Sequence, residues 1–342
     1  MTTSAAASAP LVLSLGDPAG IGPEIVIKAW QALRGAQAPF LVIGDIAVLA
    51  NASPGARHIL ARVGSPQEAA SVFADALPVY DMPLGMKVTP GQPSSAYGAE
   101  VIAWIETAAN MALSGAASGL VTAPIAKAPL YAAGFSFPGH TEFLGALTAG
   151  SPIVGPRGPI MMLTAGDLRA VPVTIHEPYV AAPRLLTTDL IVHAGEVTAW
   201  ALARDFGVLS PRLALAGLNP HAGESGTIGR EEIEIIAPAA AMLRSRGIDC
   251  SDPRPADSLF HPQARQTYDA VLCMYHDQAL IPVKMLDFWG GVNVTLGLPI
   301  VRVSPDHGVG YDIAGQGVAR PDSLMAALRL AGEIAARRRA QA

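Results

Sequence analysis

The chain has 342 residues, of which 51% are apolar and 15% charged, with a net charge of −5 and a pI of about 5.9. That length is too great for one ordinary core and predicts about two domains. No basic run occurs outside the terminal "RRRAQA", which argues against nucleic acid or an anionic membrane as partner. Cys250 and Cys273 are too few for a disulfide framework, and no stretch reaches 18 uninterrupted apolar residues. The N-terminus lacks the basic region of a secretion signal, so the expectation is a cytoplasmic protein with reduced thiols.

In chain order, "LVLSLG" (11–16) reads as a buried strand and "PEIVIKAWQAL" (23–33) as a helix with Pro23 in its first turn. "PFLVIGD" (39–45) is a second strand. "AYGAEVIAWIETAANMALSG" (96–115) has helical apolar spacing and stops at Gly115, and "SGLVTAP" (118–124) is strand again. Continuous apolar strands alternating with helices predict an α/β fold with a mostly parallel sheet covered on both faces. "GFSFPGH" and "FWGGVN" are the candidate crossing points, giving a first domain of 1–138 with 290–342 and a second of 139–289.

Three later strands run out to histidine: "AVPVTIH" to His176, "RLALAGLNPH" to His221, "DAVLCMYH" to His276. Ligands of open parallel sheets bind beyond the carboxyl ends of the strands. One such histidine is as readily a hydrogen-bonded structural residue. Three, from eight in the chain, leave a structural role and a metal site equally open; three imidazoles with an open position are the ligand set of a catalytic divalent metal, most readily Zn²⁺, with Mg²⁺ or Co²⁺ as alternatives. Asp257 in "PADSLF" is a candidate acceptor to fix an imidazole tautomer, or a plain surface carboxylate.

"PGHTEFLGALTAG" (138–150) places His140 and Thr141 at a helix start, where free N–H groups attract anions, although Thr141 reads first as the N-cap. "GDPAGIGPE" (16–24) is a glycine-rich turn without the third glycine of a dinucleotide fingerprint; alone it marks a tight loop near a cleft. Asn293 and Arg302 flank an apolar strand, followed by a loop with glycines at 308, 310, 315 and 317 that permits close backbone approach to a ligand.

Together "GDPAGIGPEI", "TAPIAK", "FPGHTEFL", "GLNPHAGE", "PADSLF", "MYHDQALIPVK", "GVNVTLGLP" and "SPDHG" closely resemble the 4-hydroxythreonine-4-phosphate dehydrogenase family of vitamin B6 biosynthesis, nearly end to end. The resemblance implies two α/β/α domains with mostly parallel sheets and an interdomain cleft, an overall fold similar to that of isocitrate and isopropylmalate dehydrogenases. The resemblance implies NAD-dependent oxidation of 4-(phosphooxy)-L-threonine at C3 and decarboxylation to 3-amino-2-oxopropyl phosphate, with NADP as the alternative dinucleotide. It implies metal ligands His176, His221 and His276, and substrate contacts His140, Thr141, Lys284, Asn293 and Arg302. Asp257 and Lys284 are the expected catalytic residues. His307, Gly308, Asp312 and Gly315 are the expected dinucleotide contacts. It also implies a homodimer whose partner completes the site, with the second domain carrying the metal ligands and the interface. Val309 stands where relatives carry threonine, and Arg320 where the isopropylmalate enzymes carry asparagine.

Rival readings are a paralogue oxidising 4-phospho-threonate or -erythronate, a dehydrogenase of a cyclic dihydrodiol carboxylate, a three-histidine metallohydrolase, and a two-lobed binding protein. The 307–317 loop argues against the hydrolase, and three convergent histidines against a passive binder.

Overall fold

The computed structural model describes residues 9–35 and 38–341. In chain order the strands are β1 (Leu11–Ser14), β2 (Phe40–Gly44), β3 (Leu60–Arg62), β4 (Leu77–Asp81), β5 (Gly119–Thr122), β6 (Ile160–Ala165), β7 (Leu168–Pro172), β8 (Arg212–Ala216), β9 (Asp249–Arg254), β10 (Ala270–Cys273), β11 (Val292–Leu296) and β12 (Arg302–Pro305). Two compact units emerge: Met1–Ser151 with Pro299–Ala336, and Pro152–Leu298 with Arg337–Ala342. The crossings fall at Ser151/Pro152 and Leu298/Pro299, so the helix His140–Leu147 belongs to the first unit and β11 to the second.

In the first unit the strand order is β3-β4-β2-β1-β5-β12, and every pairing is parallel. β1 is buried along its whole length, which is why "LVLS" shows no alternation. The helix Gly22–Leu33 starts with Pro23 in its first turn, and the helix Gly98–Leu113 stops where Gly115 takes φ 75°. Trp30 and Trp104 are fully buried and satisfy their indole N–H groups on the Phe73 and Met82 carbonyls, at 2.8 and 3.0 Å. Burying a large apolar side chain contributes about 1.5–3 kcal/mol, so these anchors matter to the unit.

The second unit has the order β11-β6-β7-β10-β8-β9. β6 runs antiparallel to both β11 and β7; β7, β10, β8 and β9 are parallel. Its core gathers Leu163, Leu168, Ala214, Val271, Cys273 and Val283, and Tyr268 donates its hydroxyl to the Leu259 carbonyl at 2.9 Å. Both cysteines are free and buried, and burial pushes the Cys250 thiol up to about 12. Asp205 is almost fully buried and held bidentately by Arg204 and Arg338 at 2.7–2.9 Å. No helix among the described residues is long and apolar enough to cross a membrane.

Candidate active site

β7, β10 and β8 are consecutive, parallel neighbours, so the chain leaves all three at the same edge of the sheet. Adjacent strands lie about 4.8 Å apart. Each strand stops short of its histidine: β7 at Pro172, β8 at Ala216 and β10 at Cys273. The expectation of histidines on strand ends is corrected accordingly. They sit on the connections just beyond, where chain no longer held by the ladder is free to turn.

His276 opens the helix His276–Leu286 and its Nδ1 donates to Asp277 Oδ1 at 2.7 Å. Asp277 thus holds this ring. Asp257, the carboxylate expected for such a task, is exposed in the turn Ala256–Ser258, which packs against the segment carrying His221. His176 has φ 54°, and its ring centroid lies 5.7 Å from that of His276. The two line a recess of about 400 Å³ with Tyr179, Tyr275 and Ile281. His221 is exposed and begins a left-handed run through Ser225, with φ between 44° and 79°. Non-glycine residues in this region cost on the order of 1–2 kcal/mol each. The run is held by Asn219, whose backbone N donates to Glu232 Oε1 at 2.7 Å and whose Nδ2 reaches Glu231 and Glu232.

Two buried polar side chains tie these connections together. Thr174 donates Oγ1 to the Met274 carbonyl at 2.8 Å, joining the His176 connection to that of His276. Gln278 accepts from Met274 N and donates to Gly217 O, both at 2.7 Å, joining the His276 connection to that of His221. Neither residue was anticipated; for Gln278 the available signal was its place in "YHDQ".

Two imidazoles on one ion, with metal–nitrogen bonds of about 2.0–2.1 Å, put ring centroids about 4.5–5.5 Å apart. The His176–His276 pair at 5.7 Å lies just beyond that range, so the two rings are close to, but not at, the spacing one divalent ion requires. No three His, Cys, Asp or Glu side chains stand together as a metal-binding group among the described residues, and His221 is exposed on its own connection.

Lys284 lies on the same helix as His276, its Nζ 5.3 Å from the Phe288 ring centroid. Asn293, in β11, has its Oδ1 shielded from solvent with no hydrogen-bond partner.

In the first unit, the helix His140–Leu147 is capped by Gly139 in extended backbone, with no side-chain cap. Thr141 is buried inside the first turn, which corrects its reading as the N-cap. Arg302 in β12 is nearly fully buried and donates Nη2 to Thr122 Oγ1 at 2.8 Å. Burial holds its guanidinium down at about 10, partly opposed by the charge of Glu142. His140 is held well below the usual histidine range by burial and by the Arg302 charge, so its ring stays neutral at pH 7. Its Nε2 is shielded and unpartnered. A desolvated cation, an orphaned imidazole nitrogen and a helix N-terminus together suit an anion.

The loop after β12 is irregular through residue 321. His307 Nδ1 lies 3.0 Å from the Gly308 carbonyl, Asp312 is exposed, and Gly315 takes φ 75° beside Pro90. Arg320 pairs with Asp322 through two contacts of 3.0 and 3.2 Å.

The model of pyridoxal phosphate biosynthetic protein PdxA matches residues 36–331. A 4-hydroxythreonine-4-phosphate dehydrogenase of Caulobacter vibrioides is 64% identical over 97% of this chain and 99% of the relative, and one of Maricaulis maris 55% over 95% and 97%. The crystal structure of the Klebsiella pneumoniae 4-hydroxythreonine-4-phosphate dehydrogenase superposes with a TM-score of 0.85 at 39% identity, covering 97% of this chain and 99% of that one. A terephthalate 1,2-cis-dihydrodiol dehydrogenase from Burkholderia xenovorans follows at 0.64 and 30%, covering 95% and 98%. A model match over most of the chain and relatives of this identity, joined to the site just described, place the chain in the PdxA family of pyridoxal phosphate biosynthesis.

Proposed function

We propose that this protein oxidises 4-(phosphooxy)-L-threonine at C3 with NAD⁺, or NADP⁺, and decarboxylates the product to 3-amino-2-oxopropyl phosphate, as a cytoplasmic homodimer. The observation that carries the reading is the anion cradle of the first unit. Nearly fully buried Arg302, neutral His140 with its shielded Nε2, and the first turn holding Thr141 suit the phosphate or carboxylate of such a substrate. Its strength comes from desolvation, since charge-assisted bonds out of water are about twice as strong as neutral ones.

His176, His221 and His276 are the residues that would hold a divalent ion, Zn²⁺ by preference, with Mg²⁺ or Co²⁺ as alternatives. A bound ion of this kind supplies Lewis acidity toward an alcohol or ketone oxygen. Asp277 keeps Nδ1 of His276 protonated and Nε2 available. Lys284 and Asn293 contact substrate, Lys284 adding positive charge and Asn293 an amide whose Oδ1 has no partner of its own. His307, Gly308, Asp312 and Gly315 are the residues that would hold the dinucleotide, which would supply the acceptor for the C3 hydride, and Asp257 would take the hydroxyl proton. The resulting β-keto acid loses C1 as CO₂, and the C2 carbanion equivalent takes up a proton.

The test is a comparison of kcat/KM for 4-(phosphooxy)-L-threonine, 4-phospho-threonate, 4-phospho-erythronate and a dihydrodiol carboxylate, read as NADH formation. The phosphorylated amino acid should lead by at least tenfold, which corresponds to about 1.4 kcal/mol of transition-state binding. A lead for the dihydrodiol carboxylate, the kind of substrate named for the Burkholderia xenovorans protein, would overturn the assignment.

A further inference from the structure

The "GDPAGIGPE" turn has no task in the chemistry above, yet it is almost entirely buried. Glu24, in the first turn of the helix Gly22–Leu33, accepts from Ala319 N at 2.9 Å through Oε1 and from Gly317 N at 3.2 Å through Oε2. Lys28, one helical turn on, donates Nζ to Glu24 Oε1 at 2.7 Å and to the carbonyls of Gly317 and Ala319 at 2.9 and 2.7 Å. One ion pair therefore binds amides and carbonyls of the same two loop residues. At the loop's other end, Ile21 N donates to Val309 O at 2.8 Å. Between them, Tyr311 donates its hydroxyl to Asp17 Oδ2 at 2.5 Å, while Asp17 Oδ1 accepts from Ala19 N. Two glycines permit this fit: a Cβ on Gly20 would meet Val309 O at 2.8 Å, and one on Gly91 would meet Tyr311 O at 2.9 Å.

We propose that Asp17, Glu24 and Lys28 are positioning residues for dinucleotide binding: they frame the 309–319 loop in its binding shape before the dinucleotide arrives. The inference rests on the dinucleotide-dependent reading given above. The loop's own backbone bonds are sparse, Ile313 N to Gly310 O and Gln316 N to Ile313 O, both at 3.2 Å. With glycines at 308, 310, 315 and 317 it would otherwise sample many conformations. An apparent dissociation constant rises as the inverse of the binding-competent fraction, so a frame of this kind acts on dinucleotide affinity and not on the chemical step. Burial pushes the Asp17 carboxyl up, and the Tyr311 hydroxyl, followed by the Ala19 and Gly20 amides and the Tyr97 hydroxyl, pulls it back. A residue that merely supported the fold would lower stability and all ligand affinities together.

The experiment compares the full-length parent with Lys28→Met and Tyr311→Phe. NADH and NADPH binding is followed by fluorescence, divalent-metal affinity by chelator competition, and exchange of the Gly317 and Ala319 amides by mass spectrometry or NMR. We expect each variant to bind the dinucleotide about tenfold more weakly, as a fall of the competent fraction to about one tenth requires. Exchange at 317–319 should quicken in Lys28→Met. Metal affinity should stay unchanged, and the kinetic loss should fall on the dinucleotide KM and not on kcat. Variants that bind the dinucleotide like the parent would overturn the proposal alone, as would a loss shared equally with metal affinity. A parent that binds neither NADH nor NADPH would overturn the dinucleotide reading and this proposal with it.

Discussion

Replacing Arg302 with methionine tests the anion cradle directly. The side chain is nearly fully buried, so its charge acts on a bound anion with little screening. A hydrogen bond to a charged group contributes about 1.5–3 kcal/mol, and each 1.4 kcal/mol is about a decade in kcat/KM, so losing one such contact costs about ten- to a hundredfold. The fold should tolerate the change. The lost Arg302–Thr122 bond, made by a charged donor, is worth about 1.5–3 kcal/mol, and relief of burying a guanidinium works the other way, leaving a net cost of about 1 kcal/mol. A net change of that size moves the melting midpoint of a unit this large by about 2–4 °C. Initial rates of NADH formation with 4-(phosphooxy)-L-threonine and with its dephosphorylated analogue separate the roles. If Arg302 holds the phosphate, the mutational loss is large only for the phosphorylated substrate; if it holds the carboxylate, the loss is equal for both. An Arg302→Met enzyme with parental kcat/KM on both compounds would refute the reasoning.

Gln278→Leu leaves Met274 N and Gly217 O without their side-chain partner, and should weaken divalent-metal affinity about tenfold, measured by chelator competition, while Thr174→Val has a smaller effect of the same sign. For Asp205, burial favours protonation but the bonds from Arg338 and Arg204 outweigh it, so the folded carboxyl titrates below its ordinary 3.8. Its stabilisation is therefore complete above the ordinary value and lost as pH falls through the folded one. Asp205→Asn should lower the melting midpoint at pH 7 and flatten its acid decline, seen by calorimetry from pH 7 to 3. For the homodimer, a His276→Ala chain mixed with an Arg302→Met chain should regain part of the lost activity if the site is shared between subunits; no recovery on mixing would count against a shared site.

The strands were legible because β1, β2, β5, β8 and β10 are buried on both faces and therefore read as unbroken apolar runs. The three histidine-bearing connections were legible for the same reason, since each follows such a run. The order β7-β10-β8, which sets them side by side, is a long-range pairing that no local pattern encodes. Thr141 was misread as a cap because the sequence does not show that Gly139, in extended backbone, takes that place. Asp257 was chosen by residue type, whereas Asp277 holds His276 simply by being its neighbour. Thr174, Gln278, Glu24 and Lys28 act on backbone groups up to 291 residues away, so their roles depend on tertiary contacts.

The most direct measurement is stoichiometric: the purified protein, a divalent metal and NAD⁺ are supplied with 4-(phosphooxy)-L-threonine, and NADH and CO₂ are counted against substrate consumed. We predict one NADH and one CO₂ per substrate, with turnover abolished by chelator and restored by Zn²⁺, Mg²⁺ or Co²⁺. Phosphate release without NADH, or full turnover in the chelated enzyme, would contradict the assignment.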